Sequence, residues 1–511
     1  MVVPGEPVRS SEKEEKAMET IHNLIGGRLV PPQAGDYFED LNPADHSDIV
    51  GRFPKSGATE VEMAVSAARK AFRPWSELPP PKRGEIIFRA GELLLKNQKR
   101  LADVIVREMG KTLPESMGDI KSSADAAYFM AGEGRRMYGQ TTFSALDKRW
   151  VLTKRYPVGV CGLITAWNAP MAIVTWKAFP ALICGNTIVL KPSEDAPLTA
   201  HFFGEIMKEA GLPDGVLNIV YGYGPETGEA LVKSRGVDLI SFTGSTKVGR
   251  MIAEECGRNL KKCSLEMGGK NGLIVMHDAN LDAAAKAVAA GAFSTAGQRC
   301  ASTSRVFVHA AVYDAFLGKL LEETKAMKVG IGSDPAVKVC PIINQRQFES
   351  ILAQIEGARK DGARLLHGGR AMTEGDFARG CFIEPTIFGD VAMTSKLARE
   401  EIFGPVLAVF KISSLEEAVE KTNSADYGLT ASIFTANMDL ALEAVDRIQA
   451  GCCYVNAPTF GSEPHLPFGG LKNSGNGTRE PGTQALDVFS DWKTIYFDYS
   501  GVARNSQYKT R

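Results

Sequence analysis

The chain has 511 residues, 44% hydrophobic and 23% charged, with a formal net charge of -1. That length suggests two to four domains, or one large body with appendages, and ample core. The near-neutral balance gives no electrostatic reason to expect nucleic acid or an anionic membrane surface as a partner. The nine cysteines contain no C-x-x-C spacing and read as reduced, cytoplasmic usage rather than a disulfide framework. Seven scattered histidines without an H-E-x-x-H run argue against a metal site.

Residues 1–18 carry a charged run without an apolar segment, so a frayed tail is expected there rather than a signal peptide. No apolar stretch approaches the roughly 18 residues of a membrane span. Residues 21–55 predict short strands and turns, broken by Gly26-Gly27, Pro31-Pro32 and Asn42-Pro43. Apolar periodicity predicts helices over Glu60–Phe72, Lys82–Asn97 and Leu101–Met109, with helical tendency over Glu115–Tyr138. An exposed strand is expected over Trp150–Pro157. Apolar strands at Val158–Ala166 and Asn186–Leu190 flank a helix at Val174–Ile183. A helix at His201–Glu209, a strand at Val216–Val220, a helix at Glu226–Val232 and a strand at Leu239–Phe242 follow. This alternation predicts a mostly parallel, Rossmann-type sheet in an α/β fold.

A second α/β region is expected from about Gly268. It has a strand at Ile274–Met276 and a helix at Leu281–Ala290 capped by Asp278 or Asn280. A strand at Arg305–Val308 precedes helices at Val312–Met327 and Arg346–Arg359. Strands at Ala408–Lys411 and Ile433–Thr435 alternate with helices at Leu415–Thr422 and Asp439–Ile448. The run Asp491–Asp498 is a strand rich in Trp, Ile, Tyr and Phe. Such a strand needs an edge to pair with, either the one near 150–156 or another subunit.

The chemistry-bearing residues begin with Cys300, in Gly297-Gln298-Arg299-Cys300. A thiolate is the strongest common side-chain nucleophile, though an isolated cysteine is more often core. Glu266, before Gly268-Gly269, is either a solvated carboxylate or a general base able to activate water. Asn168 follows an apolar strand and can donate to a developing oxyanion, or merely form a turn. Lys191-Pro192-Ser193-Glu194 lies at a strand end, where doubly wound sheets bind ligands. Lys191 can hold a ribose hydroxyl, and Glu194 can accept from the adenosine ribose while repelling an added 2′-phosphate. Phe242-Thr243-Gly244-Ser245 leads into a helix whose free N–H groups suit a diphosphate. Gly222-x-Gly224-x-x-x-Gly228 is a weaker dinucleotide signal, since its spacing is not G-x-G-x-x-G.

These segments, in this order with Glu401-Ile402-Phe403-Gly404-Pro405 and Pro467-Phe468-Gly469-Gly470, resemble the NAD(P)+-dependent aldehyde dehydrogenase superfamily over residues 21–500. The resemblance implies a Rossmann-type cofactor domain (19–141 and 158–266), an α/β catalytic domain (267–480) and oligomerisation strands (142–157 and 481–504). It further implies that Cys300 attacks an aldehyde, that Asn168 and the Cys300 N–H hold the oxyanion, and that Glu266 activates water against a thioester. Lys177 is implied to support Asn168 and the local charge balance. Cofactor contacts are implied for Ile164, Thr165, Ala166, Trp167, Lys191, Ser193, Glu194, Gly224, Gly228, Phe242, Gly244, Ser245, Val248, Leu265, Gly268, Glu401 and Phe403. The resemblance also implies NAD+ as the cofactor, with NADP+ tolerated in related pockets, and a homodimer or homotetramer as the assembly. Ala166 and Ala169 depart from the family pattern, where Pro and Phe are common, and alter the surroundings of Asn168.

The substrate tunnel is expected to draw on Asn168, Met171, Trp176, Arg299, Ala301, Phe460, His465 and Phe468. The loop from Asn456 to Leu466 resembles a semialdehyde branch, similar to 2-oxoglutarate semialdehyde (2,5-dioxopentanoate) dehydrogenases, with Arg299 or His465 meeting a distal carboxylate. Arg299 in a structural ion pair is the competing reading. An aromatic or general aliphatic aldehyde is the alternative substrate class. A coenzyme A-acylating enzyme would not need Glu266, and a non-catalytic relative would not need Cys300.

Overall fold

The structure, a computed structural model, describes residues 20–501. The tail expected over residues 1–18 lies outside the described residues, as do residues 502–504 of the expected C-terminal segment.

The N-terminal helices are longer than periodicity suggests, and proline explains the difference. The first helix spans Ala58–Glu77 and carries Pro74 near its end. The second spans Pro80–Lys96, beginning at the prolines rather than after them. A first-turn proline forfeits no helical hydrogen bond, because that N–H has no partner in the helix. Gln98–Met109 and Leu113–Glu133 complete this layer. Thr112 opens the last of these as a capping box, its hydroxyl accepting from Glu115 N while the Glu115 carboxylate reaches back to it.

These helices pack beside a seven-stranded sheet in the spatial order Lys262–Glu266, Leu239–Thr243, Val160–Ile164, Thr187–Lys191, Leu217–Ile219, Asn23–Ile25, Arg28–Val30. The first five strands are parallel, and the last two join antiparallel. Thr187–Lys191 is buried throughout, as a strand covered on both faces must be. From Val160–Ile164 the chain builds outward through Thr187–Lys191, then returns to place Leu239–Thr243 on the other side. That reversal is the topological switch of a doubly wound sheet, and it opens a crevice at the carboxyl ends of the two strands.

Helix Pro170–Cys184 follows the first of these strands, starting four residues earlier than its apolar pattern indicates. Pro170 again opens it, so Asn168 stands at the mouth of a helix rather than in an isolated turn.

The second sheet runs Arg364–His367, Thr386–Gly389, Val406–Ile412, Thr303–His309, Asn271–Val275, Thr430–Phe434, Cys452–Val455. All neighbours are parallel except the first pair. That antiparallel edge has no counterpart in the predicted elements. A register shift between Leu365 and His367 disturbs the two-residue alternation that would betray a strand.

The third element is a sheet of Ser490–Asp498, Arg149–Pro157 and Thr141–Phe143. The C-terminal strand finds its partner within the chain, in register from Ser490 opposite Pro157 to Asp498 opposite Arg149. Arg155 lies over Trp492 at 4.1 Å and Arg149 over Tyr496 at 4.4 Å.

Candidate active site

The crevice of the first sheet gathers the residues expected to bind a dinucleotide. Ile164 ends one strand; Thr165 follows it, its N–H donating to Lys191 O at 3.2 Å, and Ala166 and Trp167 come next. Lys191 ends the next strand and its Nζ donates to Glu194 Oε2 at 2.8 Å. Burial works against the Glu194 charge, but the Lys191 ammonium, the Glu194 N–H and the Arg346 charge together outweigh it and hold the carboxyl below its ordinary range. Ser193 Oγ accepts from Asp195 N at 3.3 Å. Across the crevice, Gly244 N donates to Glu266 O at 3.1 Å, and Ser245 caps the helix Thr246–Arg258 by accepting from Val248 N at 3.4 Å. Phe242 and Leu265 sit side by side on paired strands, and the Val248 side chain is exposed. A Cβ on Gly224 or Gly228 would meet nothing within 4 Å, so both face open space.

Glu401 enters from the second sheet's side. Its Oε1 accepts from Gly269 N at 2.8 Å. A Cβ on Gly268 would lie 2.0 Å from Glu401 Oε2 and would displace this carboxylate. Burial lifts Glu401 to about 7, opposed by the Gly269 N–H and the Lys270 ammonium. Phe403, at a left-handed φ of 55°, stands edge-on to Trp167 with ring centroids 5.4 Å apart. Gln347 Nε2 donates to the carbonyls of Ile402 and Phe403, at 3.0 and 3.1 Å, and holds that turn in place.

Cys300 follows a turn in which Thr295, Ala296 and Gly297 all have positive φ, at 52°, 52° and 67°. Two consecutive non-glycine residues in this region store strain. Gln298 anchors the turn, donating to Thr295 O and Pro341 O and accepting from Ile343 N. The thiol is deep, although Cys300 as a residue keeps partial exposure. Burial pushes it up to about 12, and the Glu401 and Glu266 carboxylates add to the rise. The Ala301 and Cys300 N–H groups pull the other way.

Glu266 ends its strand 6% exposed, and neither carboxylate oxygen has a hydrogen-bond partner among the described residues. Burial raises it well above the ordinary carboxylate range, helped by Glu480 and opposed by Lys177 and Arg479. Lys177, expected to support Asn168 and the local charge balance, is buried. Its Nζ donates to Glu480 Oε2 at 2.6 Å and to Ser241 Oγ at 2.9 Å.

On the substrate side, Met171 is fully buried and Ala301 nearly so. Trp176 meets Phe468 edge-on at 6.1 Å. Arg299 is ion-paired with Glu115 at 2.8 Å and lies over Phe460 at 4.6 Å. His465 is exposed, 3.6 Å from Glu463, and lines a cleft of about 490 Å³ with Gly118, Lys121, Ser122 and Phe129. Sequence reasoning missed Glu480, Glu115 and Asn271. Each meets a partner far along the chain, Lys177 for Glu480, Arg299 for Glu115 and the Cys300 carbonyl for Asn271.

The model of the aldehyde dehydrogenase family matches residues 29–495. Alpha-ketoglutaric semialdehyde dehydrogenase of Bacillus subtilis is 41% identical over 477 residues, covering 93% of this chain and 98% of that protein. Human retinaldehyde dehydrogenase 3 is 40% identical over 468 residues, covering 91% and 90%. The crystal structure of an NAD-dependent aldehyde dehydrogenase from Sinorhizobium meliloti superposes with a TM-score of 0.93 at 36% identity, covering 97% of this chain and 98% of that one. An α/β crevice, a deep thiol and these likenesses over nearly the whole length have one reading: the chain belongs to the aldehyde dehydrogenase family.

Proposed function

We propose that the chain oxidises a carboxylate-bearing semialdehyde to the free acid, using NAD+ and a thioester on Cys300. The observation that carries this reading is Glu266, a buried carboxylate with both oxygens unbonded whose charge is felt by the Cys300 thiol. A phosphorylating or coenzyme A-acylating route has no use for such a base.

The residues fit a nicotinamide dinucleotide. Gly224 and Gly228 leave the crevice open, and Ser245 heads a helix whose first N–H groups suit a diphosphate. Lys191 and Glu194 are preorganised for ribose hydroxyls, and the Glu194 charge disfavours a 2′-phosphate, hence NAD+ over NADP+. Glu401 and Phe403 would hold the nicotinamide end. The bound cofactor supplies a hydride acceptor.

The Cys300 thiolate adds to the aldehyde carbon, and Asn168 with the Cys300 N–H receives the developing oxyanion. Loss of hydride leaves an acyl group on Cys300. Glu266 then takes a proton from water, the hydroxide attacks the acyl carbon, and the acid departs as the thiolate re-forms. The segments 19–141 and 158–266 would carry the cofactor, and 267–480 the nucleophile.

Support for a semialdehyde comes from the likeness to the Bacillus subtilis enzyme and from Arg299, whose charge lies among the tunnel residues even while paired with Glu115. The aromatic group of Trp176, Phe460 and Phe468, with the likeness to a retinaldehyde dehydrogenase, favours a bulkier apolar aldehyde as the second reading. We place the enzyme in the cytoplasm because its nine cysteines are all free; among the described residues no helix is long and apolar enough to cross a membrane. Exposed Trp492, Tyr496 and Phe497 on the C-terminal strand support a homodimer or homotetramer.

Initial rates of NADH formation across short aliphatic, aromatic, betaine, succinic and 2-oxoglutarate aldehydes test the substrate class. The semialdehydes should lead, and a clear preference for an aldehyde without a carboxylate contradicts the proposal. Cys300→Ala should abolish NADH formation with every aldehyde, and retained turnover overturns the mechanism.

A further inference from the structure

The turn that carries Cys300 is gripped from the far side by a single amide. Asn271 opens the strand Asn271–Val275 at the centre of the second sheet, and the residue is 3% exposed. Its Nδ2 donates to Cys300 O at 2.7 Å and to Ser302 O at 2.8 Å. Its Oδ1 accepts from Thr430 N, on the neighbouring strand, at 3.0 Å. The amide therefore has one orientation, with both donor hydrogens on the nucleophile's turn and the oxygen tied to the sheet. The remaining carbonyl of the turn, Ala301 O, accepts from Thr459 Oγ1 at 2.7 Å. Gly269 makes room for the grip, since a Cβ there would lie 2.7 Å from both Cys300 O and Asn271 Oδ1.

Peptide planarity turns this grip into a chemical effect. In a trans peptide the C=O of one residue and the N–H of the next point in opposite directions. Holding Cys300 O toward Asn271 therefore aims the Ala301 N–H the other way, away from Asn271. The same logic applies one residue earlier. Arg299 O accepts from Ser302 N at 3.0 Å, which turns the Cys300 N–H away from Ser302. These two N–H groups are the nearby donors that favour a thiolate, against the burial and the two carboxylates that oppose it. The left-handed residues Thr295, Ala296 and Gly297 enter the turn under strain, and Asn271 fixes its exit.

We infer that Asn271 is a positioning residue for Cys300: its amide holds the Cys300 and Ser302 carbonyls and so presents the Ala301 N–H to the sulfur. The inference rests on the proposed role of Cys300 as nucleophile. Its test reads the thiol itself, and so is separable from that role.

The experiment is alkylation of Cys300 by iodoacetamide as a function of pH, followed by the mass of the Cys300 peptide, in the parent, Asn271→Asp and Asn271→Ser. Asn271→Asp keeps the shape and the oxygen facing Thr430 but removes the paired donors. Asn271→Ser is smaller and carries the same readout should the aspartate variant fail to fold. Both should alkylate roughly tenfold more slowly near neutral pH, with the pH midpoint moved upward. The first-turnover burst of NADH should slow by a similar factor while the KM for NAD+ stays within about twofold. Folded variants that alkylate at the parent rate with the parent midpoint overturn the inference and leave Asn271 a purely structural residue. Retained turnover in Cys300→Ala would instead sink the nucleophile assignment, whatever the alkylation shows.

Discussion

Two buried glutamates sit close enough to feel each other's charge, and they are treated in opposite ways. Glu480 is 3% exposed and fully engaged, with Lys177 at 2.6 Å, Ser241 at 2.7 Å and Ser264 at 3.0 Å. Glu266 is 6% exposed and has no partner on either oxygen among the described residues. The same contrast recurs between lysines. Lys177 is neutralised by Glu480, whereas Lys270 is equally buried, has no bonded partner among the described residues, and is pushed down to about 7 by burial and the Arg305 charge. Both bare groups belong to one short run, Leu265 to Lys270, whose neighbours are Cys300 and Glu401. A fold can carry a buried charge at modest cost when it is paired and hydrogen-bonded. One left unpaired marks a place where a substrate, a water or a cofactor completes the set.

Breaking each side of the contrast should give different signatures. The largest effect is expected from Glu266→Gln, which should lower steady-state turnover roughly 10²- to 10⁴-fold while a first-turnover burst of NADH survives in stopped flow. Unchanged turnover would mean that the bare carboxylate is incidental. Glu480→Gln should leave binding of NAD+ intact but strand the Lys177 ammonium. Denaturant unfolding should register a loss of about 3–5 kcal/mol. A loss well under about 1 kcal/mol would say that the network is not structural.

The smallest effect is a pH signature of Glu266. Its folded pKa is raised, so the folded state binds a proton that the unfolded chain has already released. The stability this supplies is complete below the ordinary carboxylate value of about 4.3 and is lost as pH rises toward the folded value. Glu266→Gln removes that dependence. The melting temperature of the variant should match the parent near about pH 4 and exceed it increasingly toward about pH 8. A constant difference across that range would contradict the assignment of a raised pKa.

Much of this was legible in the sequence, for definite reasons. Parallel strands such as Thr187–Lys191 are covered on both faces and so appear as unbroken apolar runs. Cys300, Glu266 and Glu401 lie in contiguous runs whose glycines have steric duties, as Gly268 has toward Glu401. Proline misled where it began helices, at Pro80 and Pro170, because it reads as a break. The strand Arg364–His367 escaped because its bulge disturbs the alternation. Arg299 announced a charge but not the Glu115 that pairs with it, and Lys177 gave no hint of Glu480. Asn271 stayed hidden because an asparagine at the head of a strand shows nothing of which carbonyls its amide will meet.

The most direct measurement of the central claim is the intact mass of Cys300 in Glu266→Gln, quenched seconds after mixing with NAD+ and 2-oxoglutarate semialdehyde. The account predicts a stoichiometric acyl adduct on the Cys300 peptide that decays slowly. Full turnover with no adduct on Cys300, or an adduct on another cysteine, would contradict it.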